Sequence, residues 1–150
     1  MKTVTEETLK KILRVLTKHN LIIATAESCS GGLIAHTLTN ISGVSEFFNQ
    51  GFVTYSNQAK MDLLDVPENI LKKYGAVSKQ VAQAMAEGVK NKSNADIGIA
   101  TTGIAGPTGG SKEKPVGLVY IGISFNHETK VKEFHFKGNR IENKKSTCES

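Results

Sequence analysis

Residues 21–38 read LIIATAESCSGGLIAHTL. The apolar run Leu21–Ala26 is short and reads as a buried strand. The polar turn ESCSGG follows it without a linker, and LIAHTL then turns helical, with Ser28 or Ser30 as its N-cap and Asn40 closing it. A strand that feeds a helix through a glycine turn is the repeating unit of an α/β fold.

The same grammar extends in both directions. Upstream, Glu6–Lys18 puts Leu9, Ile12, Leu13, Val15 and Leu16 on roughly one helical face, and Asn20 ends that helix. Downstream, SGVSEFF reads as a short helical turn and Gly51–Tyr55 as a β-branched, aromatic strand. NQAKMDLL returns to helix behind a Ser56 cap. Pro67 suits the first position of a short helix stopped by Gly75, and Ser78 opens a longer one. Asp96–Ala100 is a third strand, followed by the glycine-rich loop GIAGPTGGSKEKP. Val116–Ser124 and Val131–Phe136 complete the set, with NHET as a hairpin turn and a partly helical tail. All five strands are expected in one sheet. The expected architecture is a single α/β domain over residues 1–150, a three-layer α/β/α sandwich with a mixed, mostly parallel sheet. Ligands of such folds gather beyond the C-terminal ends of the strands.

Composition excludes several classes. Hydrophobic residues at 39% and charged residues at 22% fit a globular chain and not a disordered one. The net charge of +5 comes from scattered lysines, with Arg14 and Arg140 the only arginines. No basic stripe or zinc-finger spacing announces nucleic acid. Cys29 and Cys148 form no CxxC pair, and His19, His36, His127 and His135 fall at no familiar metal spacing. The N-terminal stretch lacks the apolar run of a signal peptide, and no segment approaches the ~20 apolar residues of a membrane span, so the expected location is cytoplasmic.

Three segments could carry chemistry. AESCSGG offers amides at a helix start, which attract anions, but it is neither GxGxxG nor GxxxxGK[ST]. Taken alone it is more often a structural turn with two caps, and Cys29, a possible nucleophile, is more commonly a small buried residue. SEFFNQGFVTYSNQAK contains Ser45, Tyr55 and Lys60. A lysine can deprotonate a serine only when burial or neighbouring positive charge lowers its pKa; otherwise Lys60 is a surface lysine and Ser45 a cap. TTGIAGPTGGS can cradle an anion with backbone amides or simply close a tight loop. Arg140 suits bidentate phosphate contacts or a surface ion pair.

Taken together, TAESCSGG, GFVTYSNQAK, GAVS, TTGIAGPTGGSKEKPVG and FKGNR resemble the C-terminal domain of the competence/damage-inducible CinA family over residues 5–143. That domain also occurs alone as nicotinamide-nucleotide amidase. The resemblance implies hydrolysis of nicotinamide mononucleotide to nicotinate mononucleotide and ammonia by a Ser–Lys amidohydrolase, in salvage of pyridine nucleotides. It assigns Ser45 as nucleophile, Lys60 as base and Tyr55 as the residue that places or relays the proton. It places Ser28, Ser30, Gly31, Thr102, Gly103, Gly106 and Arg140 around the nucleotide, with the phosphate against glycine-rich backbone and Arg140. No cofactor and no metal are implied, nor a nucleic-acid or membrane partner; self-association is left open. The alternative is a nucleotide-binding module of the same fold with little turnover. The chain departs from the family pattern at Ser30, where threonine is usual, at Asn139 for aspartate, and at Lys144 for a second arginine.

Overall fold

A computed structural model describes residues 6–150; residues 1–5, the start of the amphipathic N-terminal stretch, lie outside the described residues. The elements run α1 (Glu6–His19), β1 (Ile23–Glu27), α2 (Leu33–Thr39), a 3-10 turn (Val44–Glu46), β2 (Phe48–Val53), α3 (Asn57–Leu64), α4 (Glu68–Tyr74), α5 (Lys79–Lys92), β3 (Ile97–Gly103), β4 (Leu118–Phe125), β5 (Glu128–His135) and α6 (Arg140–Glu149). All five strands share one sheet in the order β2-β1-β3-β4-β5.

β1 pairs in parallel with β2 and β3, while β3–β4 and β4–β5 are antiparallel. Two of the four pairings are therefore parallel, and the expected mostly parallel sheet is corrected to an evenly mixed one. The reason lies in the connections. Helices link the first three strands and return the chain to the same end of the sheet, so that β2 and β3 run parallel to β1 on either side of it. The Gly103–Leu118 connection contains no helix, so β4 runs back, and a two-residue turn at Asn126–His127 then reverses the chain into β5. Asn126 takes the positive φ, 54°, that such a turn favours.

Alternation along β1 separates two cores. Ala24 and Ala26 meet Val81, Met85 and Val89 of α5 on one face. Ile23 meets Leu9 and Leu16 of α1, Leu38 of α2 and Phe47 on the other. Glycine brings α5 onto the sheet: a Cβ on Gly98 would lie 2.2 Å from the Ala86 carbonyl. No helix among the described residues is long and apolar enough to cross a membrane.

Several local expectations shift. β2 begins at Phe48 and absorbs Asn49 and Gln50, which are exposed; a strand at the sheet edge tolerates polar side chains that make it look like a turn. Ser56 and Ser78 cap α3 and α5, accepting from the Ala59 and Val81 amides. Pro67 occupies the cap of α4, one residue before the expected position. The tail is helical to Glu149, because Asn139 and Glu142 form a reciprocal capping box. Neither Ser28 nor Ser30 caps α2. Gly32 holds the cap position, and the Glu27 carboxylate supplies the acceptors instead.

Candidate active site

Parallel pairing brings the C-terminal ends of β1, β2 and β3 to one rim of the sheet. Residues just past those ends line a cleft of about 200 Å³: Ser28 after β1, Tyr55 and Lys60 after β2, and Gly103 and Ala105 from the end of β3, with Thr102 beside them.

Lys60 sits in the first turn of α3, a helix fixed by the Ser56 cap, and its side chain points back beneath the strand ends. It is 1% exposed. Its ammonium donates to the Ser28 hydroxyl at 3.2 Å and to the Thr54 carbonyl at 2.9 Å. Desolvation pulls the Lys60 pKa below its ordinary value, outweighing the opposite influence of Cys29. A lysine that is reluctant to hold its proton, touching a serine in a cleft, is the arrangement that activates a hydroxyl for acyl transfer.

Ser45 is not part of it. It lies in the 3-10 turn before β2, exposed, while Lys60 follows the other end of that strand. Six residues of extended chain separate the two rims by roughly 20 Å. The expected Ser45–Lys60 contact is therefore corrected to Ser28–Lys60. The turn cannot fold back, because Phe47 and Val44 anchor it in the α1–α2 core at the opposite edge.

Ser28 is held by a buried polar network. Its amide donates to the Thr101 carbonyl at 3.0 Å, extending the β1–β3 ladder by one residue. The neighbouring Glu27 carboxylate accepts from the Ile34 and Ala35 amides of α2 and from the Ser30 hydroxyl, at 2.8, 3.0 and 2.7 Å. Ser30 also shares a 2.7 Å hydrogen bond with Thr101 Oγ1. The hydroxyl proton of Ser30 goes to the carboxylate, so Thr101 donates to Ser30. An intramolecular carboxylate thus occupies the helix start that the sequence offered to an external anion. Ser30 is fully buried and engaged, so it supports the turn and does not line the cleft. Gly31 is exposed at φ +63° beside Lys144, outside the cleft lining.

Cys29 is buried, and desolvation pushes its thiol up to about 11, which leaves it neutral and unreactive near pH 7. Thr102 is buried and donates to the Ala76 carbonyl. Arg140, the first residue of α6, donates to the Gly106 carbonyl and to the Tyr55 hydroxyl, both at 2.8 Å. It ties the loop after β3 to the loop after β2 across the mouth of the cleft. Gly106 takes part through that carbonyl and is not in the cleft lining. No cluster of metal-ligating side chains occurs among the described residues.

Residues 5–150 match the family model for the CinA C-terminal domain. A protein of Clostridium novyi described as competence-damage inducible is 55% identical over 136 residues, covering 90% of this chain and 33% of its own length. The chain thus spans about a third of the length of the curated relatives it matches. Among solved structures, the competence/damage inducible protein from Agrobacterium tumefaciens is similar at 44% identity and a TM-score of 0.92, with 95% of this chain and 88% of that chain covered. A CinA superfamily protein from Escherichia coli is similar at 35% identity and a TM-score of 0.91, covering 96% and 84%.

Proposed function

The chain belongs to the CinA C-terminal domain family, and from that premise we propose that it hydrolyses the carboxamide of a pyridine mononucleotide, with Ser28 as nucleophile and Lys60 as base. The observation that carries this reading is the buried Lys60 amine at 3.2 Å from the Ser28 hydroxyl.

Neutral Lys60 takes the Ser28 proton as Ser28 Oγ attacks the amide carbon. The resulting oxyanion is met by backbone amides of the turn after β1. The lysine ammonium returns its proton to the leaving nitrogen, ammonia departs, and an acyl-serine remains. Water, deprotonated by the same amine, attacks the ester; the carboxylic acid leaves and Ser28 is restored. Tyr55, its oxygen already accepting from Arg140, is free to donate its own proton toward the cleft. The positive pyridinium of the substrate opposes protonation of Lys60 and so keeps more of it in the neutral form that can accept a proton. A cleft of about 200 Å³ suits the nicotinamide ring. The ribose and phosphate then run outward toward Arg140 and the loop after β3.

One observation favours a second reading, a nucleotide-binding module with little turnover. The Thr54 carbonyl accepts from Lys60 at 2.9 Å and so stabilises its protonated form. Ammonia release from nicotinamide mononucleotide, measured beside calorimetric binding of the same compound, separates the two. Binding with turnover supports the amidase. Binding without ammonia supports the module, and neither would reject the ligand class.

A further inference from the structure

The loop between β3 and β4 is long, but it is tied down. Its base is closed where Ile104 donates to the Leu118 carbonyl and accepts from the Gly117 amide, at 2.9 and 2.7 Å. Further out, Ser111 to Lys114 form a turn that is shut twice. The Ser111 amide donates to the Lys114 carbonyl at 2.8 Å, and the Lys114 amide donates to the Ser111 hydroxyl at 3.0 Å. Lys112 and Glu113 are exposed. Lys114 is half-buried, and its ammonium donates to the Tyr74 carbonyl at 2.6 Å, across 40 residues of sequence.

Tyr74 ends α4 and opens the turn into α5, and that turn walls the cleft through Ala76 and Val77. Three successive carbonyls of the wall are each held by a side chain from a different element. Lys114 of the loop holds Tyr74, Ser78 of the α5 cap holds Gly75 at 2.8 Å, and Thr102 of β3 holds Ala76 at 2.7 Å. The Ala76 and Val77 amides have no acceptor among the described residues, so the wall keeps donors for a ligand. Ser78 and Thr102 are buried beside the turn, whereas Lys114 arrives from the loop. Gly75 admits it: the backbone there has a φ of +76°, and a β-carbon would lie 3.0 Å from the ammonium. The last carbonyls of a helix also favour a cation.

We propose that Lys114 is a positioning residue for the cleft. By fastening the glycine-rich loop to the end of α4, it sets the spacing between two cleft walls, Ala105 on the loop and Ala76 with Val77 on the turn. Lys114 does not line the cleft itself and acts through the turn. Arg140 ties the other flank of the same loop, between Gly106 and Tyr55. The role rests on the amidase reading for the identity of the ligand and on the hydrogen bonds alone for the clamp.

Nicotinamide mononucleotide is the probe, in steady-state ammonia release and in calorimetry on the whole chain. Lys114→Met should raise KM and Kd about 10-fold and leave kcat within about twofold, the pattern of binding lost equally from ground and transition states. Amides of residues 75–78 should exchange with solvent about 10-fold faster in the same variant. Lys112→Met removes the same charge from the same turn and should change none of these. Unchanged KM and Kd in Lys114→Met, or a loss that falls on kcat or melting temperature alone, would overturn the role. Equal weakening by Lys112→Met would also overturn it, by reducing Lys114 to an attracting charge. If Lys114→Met fails to fold, Ser111→Ala at an exposed residue decides by the same readings, with about a threefold rise in KM and Kd expected. A wild type that binds the probe without releasing ammonia defeats the amidase reading and leaves Kd to test Lys114. A wild type that does not bind it defeats that reading too, and unchanged exchange at residues 75–78 in Lys114→Met would then overturn the clamp.

Discussion

Ser28 and Ser45 occupy opposite rims of one sheet, and the two rims are built differently. At the C-terminal rim, Glu27, Ser30, Thr101 and Lys60 form a buried polar network that fixes the turn around Ser28. At the N-terminal rim, Ser45 rides an exposed 3-10 turn pinned by the apolar Val44 and Phe47, with no side-chain hydrogen-bond partner among the described residues. Both serines precede or follow apolar segments, so local sequence ranks them alike. The contrast teaches that strand direction, which sorts residues between rims, decides which hydroxyl meets the lysine.

The sharpest way to break that contrast is to delete each hydroxyl. Ser28→Ala should reduce ammonia release at least ~10⁴-fold, the usual scale for loss of a nucleophile, while nucleotide affinity changes little. Ser45→Ala should stay within about twofold, as surface substitutions do. Reversed outcomes in a steady-state ammonia assay would return the chemistry to the other rim.

Removing the base should come next. Lys60→Met should lower kcat about 10³-fold, and the variant should unfold at a temperature at or above that of wild type, because a buried amine no longer resists desolvation. Its pH behaviour carries the sign. The folded pKa lies below the ordinary 10.5, so the unfolded chain binds more protons between those two values. Stability should therefore rise with pH across that window, and the slope should vanish in Lys60→Met. The wild-type kcat/KM should rise with pH along a single-proton acid limb, with its midpoint below 10.5. Denaturant titrations and pH–rate profiles check both; a profile unchanged in a residually active Lys60 variant would remove the lysine from the mechanism.

The network itself predicts a stability effect. Glu27→Ala strips the Ile34 and Ala35 amides and the Ser30 hydroxyl of their acceptor, and should cost about 2–3 kcal/mol in chemical denaturation. Glu27→Gln, which keeps one acceptor oxygen, should cost less. The smallest expected effect lies at the start of α6. Asn139→Ala removes half of the capping box and should cost about 1 kcal/mol. It should also loosen Arg140 from Tyr55, detectable as a modest rise in KM.

Much of the fold was legible because burial writes a period into the chain. The short apolar runs that become β1 and β3, the caps Ser56 and Ser78, and the stop at Gly75 all follow from local physics, and the structure keeps them. β2 was misjudged at its start because Asn49 and Gln50 face solvent on an edge strand, where no periodic apolar signal is required. The site was legible in its segments and not in its pairing. Tyr55 and Lys60 stand together through a short loop, whereas Ser28 and Lys60 are separated by 32 residues and meet only because β1 and β2 are parallel neighbours. Glu27 was missed for a related reason: a glutamate ending a strand looks solvated until α2 turns its amides onto it. Its one local signal was an acid placed just before a glycine turn and a helix.

By itself the sequence determined an α/β chain of five strands in one sheet, helix boundaries set by caps and glycines, and membership in a family through its glycine-rich turns. Tertiary structure alone decided that half of the strand pairings are antiparallel, that Ser28 and not Ser45 touches Lys60, that a carboxylate rather than a ligand closes the start of α2, and that Lys114 is fastened to the end of α4. Periodicity and capping act over a few residues, so the chain states them locally. Pairing, burial of a charge and a bond from loop to helix depend on residues tens of positions apart, and they exist only once the sheet has fixed which ends lie side by side.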